Sequence, residues 1–257
     1  KCGGSVLLNP NLFNQFIEDI SVINKLGLNV IVVHGGGKII KKKLDEQNIE
    51  SNFIDGLRVT DAKTIKIVEE ALTELNSEII KRLGSKKCIA QPITTKTKNI
   101  ITTEPEKKEL AFVGKPKKIE KKNLLEIIKK KEVPVVIPMG IGEDNKIYNI
   151  NGDVAAGAIA KTLNSRRLLL MTDVEGVLDK NKKLVTEINS DFANKMLKDG
   201  TITGGMIPKI NTCIDAVKNG VTGVVIVDGR KPHSILFELL SDKGAGTLIR
   251  KWRNLKI

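Results

Sequence analysis

The stretch VIVVHGGGKIIKKKLDE, residues 30–46, is patterned as a strand, a glycine loop and a helix in immediate succession. The apolar run Val30–Val33 predicts a buried strand, and a helix is predicted to follow from about Lys38 to Glu46. Glycines between the two elements let backbone N–H groups approach an anion without interference from side chains. The stretch therefore favours an α/β fold with an anion site where the strand meets the helix.

The same alternation of aliphatic strands and helical patterns continues along most of the chain. Asp61 is a candidate N-cap for a helix that ends at Leu83, because apolar residues recur along that segment at helical spacing. This alternation predicts a mainly parallel central sheet with helices on both faces. Strands are further predicted at Val133–Pro138, Leu168–Thr172 and Val224–Val227, helices at Lys121–Lys131, Asp153–Leu163, Ile207–Lys218 and Pro232–Leu240, and a loop at Gly140–Asp144.

The composition of the chain limits the size and nature of its core. Its 257 residues suffice for one large α/β domain or for two lobes, and the segment Pro138–Tyr148 is the best candidate for a boundary. Hydrophobic residues make up 40% of the chain but aromatic residues only 3%, so we expect an aliphatic core. No stretch approaches the roughly 20 apolar residues of a membrane-spanning helix, and no membrane association is expected.

The net charge of +13 is spread along the chain. Lysines form short clusters on separate predicted helices and loops, and a single Trp and a single Tyr give no platform for base stacking. We therefore interpret most lysines as solvated and expect no nucleic-acid partner, with anionic substrates, an acidic partner protein or weak nucleic-acid affinity as alternatives. The three cysteines are widely spaced and form no metal-ligand pattern, which indicates a reducing compartment.

Two further glycine segments point to phosphoryl chemistry. Lys1–Ser5 has the sequence KCGGS, and Thr203–Lys209 has the sequence TGGMIPK. Lysine supplies a mobile positive charge to phosphate, and glycine lets the backbone come close to it. Neither a P-loop nor a complete dinucleotide fingerprint is present. Because no apolar strand precedes Lys1, we expect the sequence to lack at least one N-terminal strand.

Six motifs follow one another along the chain: KCGGS at 1–5, VIVVHGGG at 30–37, GLRVTD at 56–61, YNINGD at 148–153, TDVEGVLD at 172–179 and GGMIPK at 204–209. This combination resembles the amino acid kinase family, from Lys1 to about Ile249. The resemblance implies a three-layer α/β/α sandwich with a mainly parallel central sheet. It further implies an N-terminal lobe (1–148) for acyl amino acid binding and dimerisation and a C-terminal lobe (149–257) for ATP, within one continuous structural domain.

Within that family, the chain is most similar to members that use ATP to phosphorylate the γ-carboxylate of N-acetyl-L-glutamate in arginine biosynthesis. A glutamate-type carboxyl has a pKa of about 4.3 and is ionised at pH 7, so this acceptor needs no general base. Mg²⁺ is expected to arrive with the nucleotide, and no metal ligands are assigned to the protein. Two alternatives stay open: a related carboxylate kinase acting on glutamate or carrier-bound aminoadipate, and a non-catalytic regulatory protein on the same scaffold.

The resemblance implies a catalytic set of two lysines and one aspartate. Lys1 and Lys209 match lysines that reach the transferring phosphoryl group from opposite sides, and Asp153 matches the residue that orients both. Gly4 and Gly37 match glycines whose N–H groups meet phosphate oxygens. Phosphoryl transfer asks mostly for positioning and charge neutralisation, which these residue types supply.

The implied acyl amino acid site consists of Gly36, Gly37, Arg58 and Asn149. Arg58 can form a bidentate pair with the α-carboxylate of the substrate. Asn151 competes with Asn149 for the same position in the motif, so both are considered.

The stretch at Asp173, Gly176 and Val177 resembles the part of the family that binds the adenine and ribose of ATP. His34 ends a predicted strand, and we interpret it as a structural rather than a catalytic histidine. Segment 91–103 lacks the glycine–aspartate turn that acetylglutamate-phosphorylating members have there, which bears on acyl specificity.

The C-terminal part of the chain resembles family members that are inhibited by arginine. It implies an allosteric L-arginine site at His233, Glu238, Gly244 and Gly246, where a carboxylate can pair with a guanidinium. It also implies a homodimer, a hexamer when a full-length protein carries an N-terminal assembly helix, and a PII-type regulatory partner. We expect a cytoplasmic location, with a plastid as the alternative.

Overall fold

The computed structural model of the chain describes residues 1–251. The end of the predicted C-terminal lobe, residues 252–257, lies outside the described residues. The helices are α1 (Gly4–Leu8), α2 (Pro10–Lys25), α3 (Gly37–Glu46), α4 (Thr64–Ser85), α5 (Lys121–Lys129), α6 (Gly152–Thr162), α7 (Ser190–Lys198), α8 (Met206–Lys218) and α9 (Ser234–Leu240). The strands are β1 (Val32–Val33), β2 (Phe53–Ile54), β3 (Leu57–Arg58), β4 (Ala90–Ile93), β5 (Ile101–Pro105), β6 (Val113–Ile119), β7 (Val133–Val136), β8 (Met139–Gly142), β9 (Ile147–Ile150), β10 (Leu168–Thr172), β11 (Glu187–Ile188), β12 (Gly223–Asp228) and β13 (Gly246–Arg250).

The described chain forms two compact units. The first runs from Lys1 to Ala156, and the second begins at Gly157. The division falls within α6 and so lies downstream of the lobe boundary that is predicted after residue 148. The assignment of one lobe to the acyl amino acid and of the other to ATP stays a prediction.

The central sheet of the first unit is parallel, with β7 between β1 and β4. Val32 pairs with Val135, and Ala90 pairs with Val133. All four residues of β7 are buried, and helices α4 and α5 pack against this strand. The predicted alternation is confirmed in this sheet, since helices connect its parallel strands.

The longest helix of this unit, α4, begins and ends close to where the sequence predicts. Asp61 Oδ1 accepts hydrogen bonds from the N–H groups of Lys63 (3.1 Å) and Thr64 (2.7 Å), which have no intrahelical acceptors. Hydrogen bonds from Thr64 are the main reason that the pKa of Asp61 is lowered. The apolar stripe of the helix is buried: Ile65, Val68, Leu72, Leu75, Ile79 and Leu83.

A small closed barrel of β5, β6, β9 and β8 also belongs to the first unit. The prediction of a loop at Gly140–Asp144 is wrong, because Met139–Gly142 forms strand β8. A Cβ on Gly140 would overlap Thr103 Oγ1 and would lie 2.6 Å from the carbonyl oxygen of Ile101. Glycine therefore serves here to bring two strands together rather than to make a loop.

Segment 91–103 turns by means of threonine side chains. Thr94 N donates to the carbonyl oxygen of Thr97 at 2.8 Å, and Thr97 N donates to Thr94 Oγ1 at 2.9 Å. Thr95 Oγ1 donates to Glu69 Oε1 of α4 at 2.5 Å. Hydroxyl groups thus stabilise the turn without the glycine–aspartate pair.

The second unit contains a four-stranded sheet in the order β10, β12, β13, β11. β10 and β12 are parallel, β13 runs antiparallel to β12, and β11 is parallel to β13. Every residue of β12 is buried, and α8 and α9 pack against this strand. The strands predicted at Leu168–Thr172 and Val224–Val227 and the helix predicted at Ile207–Lys218 are confirmed.

Candidate active site

An ion pair joins the beginning of the first unit to its last helix. Lys1 Nζ lies 2.9 Å from Asp153 Oδ1, and each side chain is only 13% exposed. Asp153 stands in the first turn of α6, where the helix dipole favours a carboxylate. Asn151 Oδ1 accepts hydrogen bonds from the amides of Asp153 (2.9 Å) and Val154 (3.3 Å) and so caps that helix. Two of the three predicted catalytic side chains are therefore in contact.

Glycines border the side chain of Lys1. A Cβ on Gly152 would lie 3.2 Å from Lys1 Cε, and a Cβ on Gly35 would lie 3.7 Å from the same atom. Gly35 N also donates to the carbonyl oxygen of Cys2 at 2.8 Å. The lysine side chain thus runs close to two backbone segments that carry no side chains of their own. We call Gly35, Gly152 and the Lys1–Asp153 pair the lysine cradle.

The first turns of α1 and α3 meet at Gly4 and Gly37. A Cβ on Gly4 would lie 3.7 Å from the amide nitrogen of Gly37 and 3.5 Å from that of Lys38. Apart from its chain neighbours and the nearby backbone of α3, no heavy atom of residues 1–251 lies within 4 Å of the position that a Cβ on Gly37 would take. The first amides of a helix lack intrahelical acceptors and carry partial positive charge, so the start of α3 is an open position suited to an anion.

Gly36 has a different environment from its neighbour Gly37. A Cβ on Gly36 would lie 2.6 Å from Leu72 Cδ2 and 3.6 Å from Ile40 Cδ1. The packing of Leu72 in α4 against this loop is therefore one reason that glycine is favoured at the position. Its role in substrate binding stays a prediction.

Arg58 extends from strand β3 towards the same glycine loop. Its Nη2 donates to the carbonyl oxygen of Gly37 at 3.0 Å, its Nη1 contacts Ser51 Oγ, and its guanidinium carbon lies 4.7 Å from the centre of the Phe53 ring. The residue is 8% exposed, and burial lowers the pKa of its guanidinium. The structure thus brings two predicted substrate residues, Gly37 and Arg58, into contact. It adds Ser51 and Phe53, which the sequence analysis missed.

Asn149 lies in strand β9, and its side-chain amide donates to Thr60 Oγ1 at 3.4 Å. Thr60 is fully buried, and its hydroxyl donates to the carbonyl oxygen of Arg58 at 2.8 Å. Thr60 therefore connects Asn149 to the strand that carries Arg58. Because the side chain of Asn151 caps α6, Asn149 is the better candidate for contact with a substrate.

His34 is fully buried under the glycine loop, and its Nε2 lies 3.1 Å from Asn76 Nδ2. Burial lowers the pKa of His34 to about 4, against a smaller upward contribution from the Gly35 backbone. The ring is therefore neutral near pH 7. A neutral and enclosed ring agrees with the structural role that the sequence predicts for this residue.

In the second unit, the loop before α8 has open glycines as well. Gly204 has a φ of +55°, and within the described part of the chain no heavy atom other than those of the immediate neighbours lies within 4 Å of a Cβ on Gly204 or Gly205. Lys209 follows in the first turn of α8 and is partly buried. A lysine on a helix start that glycines leave open is a suitable setting for a phosphate group.

The predicted nucleotide residues follow strand β10. Asp173 is exposed. Gly176 has a φ of +148°, a Cβ on it would lie 2.5 Å from Thr247 Oγ1, and Val177 N donates to that hydroxyl at 2.8 Å. Gly176 and Val177 thus pack against β13, and their contact with a nucleotide stays a prediction.

A cavity of about 640 Å³ opens between α9 and the loop that precedes β13. Three of the four predicted arginine-site residues line it, namely His233, Gly244 and Gly246. Lys231 and Lys243 also line it and supply positive charge. The apolar part of the lining consists of Leu184, Pro232, Leu236, Phe237 and Leu240.

Glu238 holds the loop beside this cavity. Its Oε2 accepts a hydrogen bond from Ala245 N at 2.6 Å, and a Cβ on Gly244 would lie 3.1 Å from the same oxygen. Gly244 has a φ of +67°, which favours glycine. Glu238 itself is not among the described residues that line the cavity. It therefore supports the loop from outside the lining.

Residues 1–251 contain neither a helix suited to span a membrane nor a cluster of side chains suited to hold a metal ion. No helix within residues 1–251 is both long and apolar enough to cross a membrane. In the same range, no cluster of three or more His, Cys, Asp and Glu side chains is arranged to hold a metal ion.

The sequence is similar to known proteins over almost its whole length. The sequence profile of the amino acid kinase family matches residues 1–228. An acetylglutamate kinase of Pelagibacter ubique (strain HTCC1062) is 59% identical over 251 residues, which cover 98% of this chain and 87% of the relative. An acetylglutamate kinase of Rhodospirillum rubrum is 43% identical over 267 residues, which cover 98% of this chain and 86% of the relative.

Solved structures share the fold. The crystal structure of smu.665 from Streptococcus mutans UA159 superposes with a TM-score of 0.83 at 29% identity, covering 97% of this chain and 96% of that chain. N-acetylglutamate synthase from Neisseria gonorrhoeae superposes with a TM-score of 0.89 at 21% identity, covering 98% of this chain and 58% of that one. The predicted α/β fold is confirmed by these likenesses.

Proposed function

Since this chain belongs to the amino acid kinase family, we propose that its lysine cradle is where the phosphoryl group of ATP passes to N-acetyl-L-glutamate. Acetylglutamate kinase activity follows from relatives that match 98% of the chain at 59% and 43% identity. The chain is thus a carboxyl-acceptor phosphotransferase and a kinase of arginine biosynthesis.

The ion pair of the cradle is the observation that carries the proposal for the site. Asp153 holds the Lys1 ammonium at 2.9 Å in a place where Gly35 and Gly152 leave the lysine side chain bordered by backbone. Lys1 then neutralises charge on the phosphoryl group in flight, and Lys209 does so from the nucleotide side. Phosphoryl transfer depends mainly on such positioning and neutralisation.

The acyl amino acid binds, in this proposal, along the loop that contains Gly37. The guanidinium of Arg58 offers a planar fork for the α-carboxylate, and its partner Ser51 and the Phe53 ring fix the orientation of that fork. Asn149, which the Thr60 hydroxyl supports, contacts the acyl amide. Gly36 and Gly37 line the same space.

The nucleophile is the γ-carboxylate of the substrate. Its pKa of about 4.3 leaves it ionised at neutral pH, so the protein does not have to remove a proton. The residues near the cradle agree with this chemistry. His34 is fully buried and its pKa is lowered to about 4, so it is a poor candidate for a general base. The protein therefore has to bring the carboxylate in line with the phosphoryl group and stabilise the charge that spreads over its oxygens.

ATP is the phosphoryl donor, and the second unit is its proposed binding lobe. Lys209 and the open glycines before α8 bind its phosphates, and the segment of Asp173, Gly176 and Val177 borders its nucleoside. The amides at Gly4 and Gly37 bind phosphate oxygens of the γ group. Mg²⁺ enters as part of the MgATP substrate and neutralises charge between the phosphates.

L-Arginine is the proposed feedback ligand of the cavity beside α9. Lys231 and Lys243 supply positive charge for its α-carboxylate, and the apolar wall suits its methylene chain. Glu238 supports this site by keeping the Gly244–Gly246 loop in place through the Ala245 amide. His233 forms the edge of the site.

We also propose a homodimer, a hexamer for a protein with the N-terminal assembly helix, and a PII-type partner, all from the family resemblance alone. Size-exclusion chromatography with light scattering tests the assembly. Co-elution with a PII-type protein tests the partner. A monomer at micromolar concentration would contradict the proposed dimer.

A coupled ADP-release assay over a panel of acids tests the substrate. We expect turnover with N-acetyl-L-glutamate and at least about 100-fold lower kcat/KM with free L-glutamate, because the free amine replaces the acyl group with a charge that the site does not pair. N-acetyl-L-2-aminoadipate, which is one methylene longer, is the second control. Preference for the aminoadipate derivative or for glutamate would replace the proposed acceptor.

A further inference from the structure

A buried polar pair lies directly under the glycine loop of the cradle. Asn76 is 1% exposed and sits in the apolar stripe of α4, on the same face as Leu72 and Ile79. Its side chain contacts His34, which is fully buried. A polar residue in an apolar stripe loses hydration, so its hydrogen bonds must compensate for that loss.

The partners of Asn76 determine which ring nitrogen of His34 carries the proton. Asn76 Nδ2 lies 2.9 Å from the carbonyl oxygen of Val135 and 3.1 Å from His34 Nε2. A carbonyl oxygen only accepts hydrogen bonds, so the amide nitrogen must face it. The second hydrogen of this nitrogen then points to Nε2, which must accept it. These contacts assign the ring proton of His34 to Nδ1, a buried atom for which no hydrogen-bond partner is found among the described residues.

His34 is also part of the backbone that leads into the cradle. Its N–H donates to the carbonyl oxygen of Val136 at 3.3 Å, and it pairs with Cys2 in a parallel bridge. The next residue, Gly35, is bonded to Cys2 and borders the side chain of Lys1. A displacement of the His34 ring would consequently move Gly35 relative to Lys1.

We propose that Asn76 and His34 are positioning residues for phosphoryl transfer: Asn76 holds His34 in the Nδ1–H tautomer, and His34 keeps Gly35 against the Lys1 side chain. Neither residue touches a substrate in this arrangement. The proposal rests on the proposed function, because it takes Lys1 as a ligand of the phosphoryl group. It differs from a purely structural role in that the geometry of the cradle, rather than folding alone, depends on the pair.

Asn76→Leu tests the pair, because leucine has the same number and branching of side-chain heavy atoms and no donor. We expect kcat to fall by about 10-fold or more while the KM values for ATP and N-acetylglutamate stay within about twofold, as for a small misplacement of a catalytic group. Ile79→Val, one turn further along α4 and equally buried, is the matched control. It should lower the melting temperature without lowering kcat.

Exchanging His34 tests whether its Nε2 serves as an acceptor. Gln can place its amide oxygen near the position of Nε2 and so accept from Asn76 Nδ2, whereas Leu has no acceptor. His34→Gln should therefore keep at least about 10-fold more of the wild-type kcat than His34→Leu. The reverse order would overturn the proposal, and this comparison stays informative if Asn76→Leu does not fold.

Nitrogen-15 NMR of the histidine-labelled 257-residue chain reads the tautomer directly. The sequence contains only two histidines, so His233→Gln assigns the spectrum. We expect a neutral Nδ1–H ring for His34 at pH 7.5 and a changed tautomer ratio in Asn76→Leu. An Nε2–H ring in the wild type, or wild-type kcat in Asn76→Leu, would overturn the proposal. Activity lost in the wild type itself would instead contradict the proposed function.

Discussion

Gly37 and Gly246 both belong to predicted ligand sites, yet their surroundings differ. Beyond its own helix and chain neighbours, no described heavy atom lies within 4 Å of a Cβ on Gly37, at the start of α3. A Cβ on Gly246, at the start of β13, would overlap the carbonyl oxygen of Ile226 and would lie 3.1 Å from Val227 Cα. Glycine at the first position leaves space that the fold does not use, whereas at the second it lets two strands approach each other.

The predicted site residues thus contain two kinds of glycine, one with free space at the Cβ position and one with none. Gly204 and Gly205 are open like Gly37, and Gly36 and Gly176 are packed like Gly246. Packed glycines are explained by the fold alone. Open glycines in a helix start are explained better by a ligand that approaches the backbone. Among the open glycines, those at the starts of α3 and α8 agree with the proposed path of the phosphates, whereas others, such as Gly27 and Gly200, lie in ordinary turns.

The largest effect is expected at Lys209, which follows the open glycines Gly204 and Gly205. Lys209→Ala should lower kcat by at least about 100-fold, the loss typical of removing one donor to transition-state charge, while the KM for ATP changes much less. Steady-state kinetics measure both values. Lys218→Ala, at the other end of α8, is the control and should keep the wild-type kcat. Near-normal turnover of Lys209→Ala would break the link between open glycines and phosphate.

Alanine at the two compared glycines should separate stability from activity. Gly246→Ala is expected to lower the free energy of unfolding by about 1–3 kcal/mol, because the added methyl group overpacks the β12–β13 contact. Gly37→Ala should leave unfolding almost unchanged and lower kcat/KM by about 10-fold, because the methyl group takes up ligand space. Urea unfolding and kinetics on the same preparations measure both. Equal losses of unfolding free energy in Gly246→Ala and Gly37→Ala would contradict the distinction between packed and open glycines.

Arg58→Lys tests the role of the open loop at Gly37, whose carbonyl oxygen accepts a hydrogen bond from the guanidinium of Arg58. Lysine keeps the charge and loses the planar fork. The KM for N-acetylglutamate should rise by about 10-fold or more, the range for a lost hydrogen bond to a charged group, and the KM for ATP should change little. 4-Acetamidobutanoate, which lacks the α-carboxylate, is the control substrate whose KM should not respond. An equal rise in the KM values for N-acetylglutamate and ATP would show that Arg58 does not belong to the acyl amino acid site.

The smallest effect is expected at the cavity beside Gly246. Millimolar L-arginine should inhibit the kinase several-fold, and Glu238→Ala should weaken that inhibition, because Glu238 supports the loop through Ala245. L-Lysine, which has no guanidinium, is the matched control ligand. Activity that does not respond to arginine in a full-length protein, or inhibition that survives Glu238→Ala unchanged, would remove the regulatory role of this cavity.

Much of the fold could be predicted from the sequence, because local patterns and tertiary packing agree. The strand Leu168–Thr172 is apolar up to its last residue, and the cap at Asp61 precedes a regular apolar stripe. Strand β8 could not be predicted in this way. Gly140 and Gly142 resemble loop residues, and only the crowding inside a small barrel shows why a strand needs them.

The candidate site was predictable where the family motifs name its residues, and less so beyond them. Lys1 and Asp153 come together, and so do Gly37 and Arg58. The supporting residues Ser51 and Asn76 were missed. Asn76 carried a detectable signal, since it interrupts the apolar stripe of α4, whereas nothing in the sequence distinguishes Ser51 from an ordinary loop serine.

The most direct test of the central claim combines product trapping with one substitution in the lysine cradle. Hydroxylamine converts an acyl phosphate to a hydroxamate, which can be measured against ADP released from ATP in the presence of N-acetylglutamate. We predict one hydroxamate for each ADP in the wild type, and a rate at least about 100-fold lower in Asp153→Asn, which cannot hold the Lys1 ammonium by charge. ADP release without hydroxamate, or an undiminished rate in Asp153→Asn, would contradict the account.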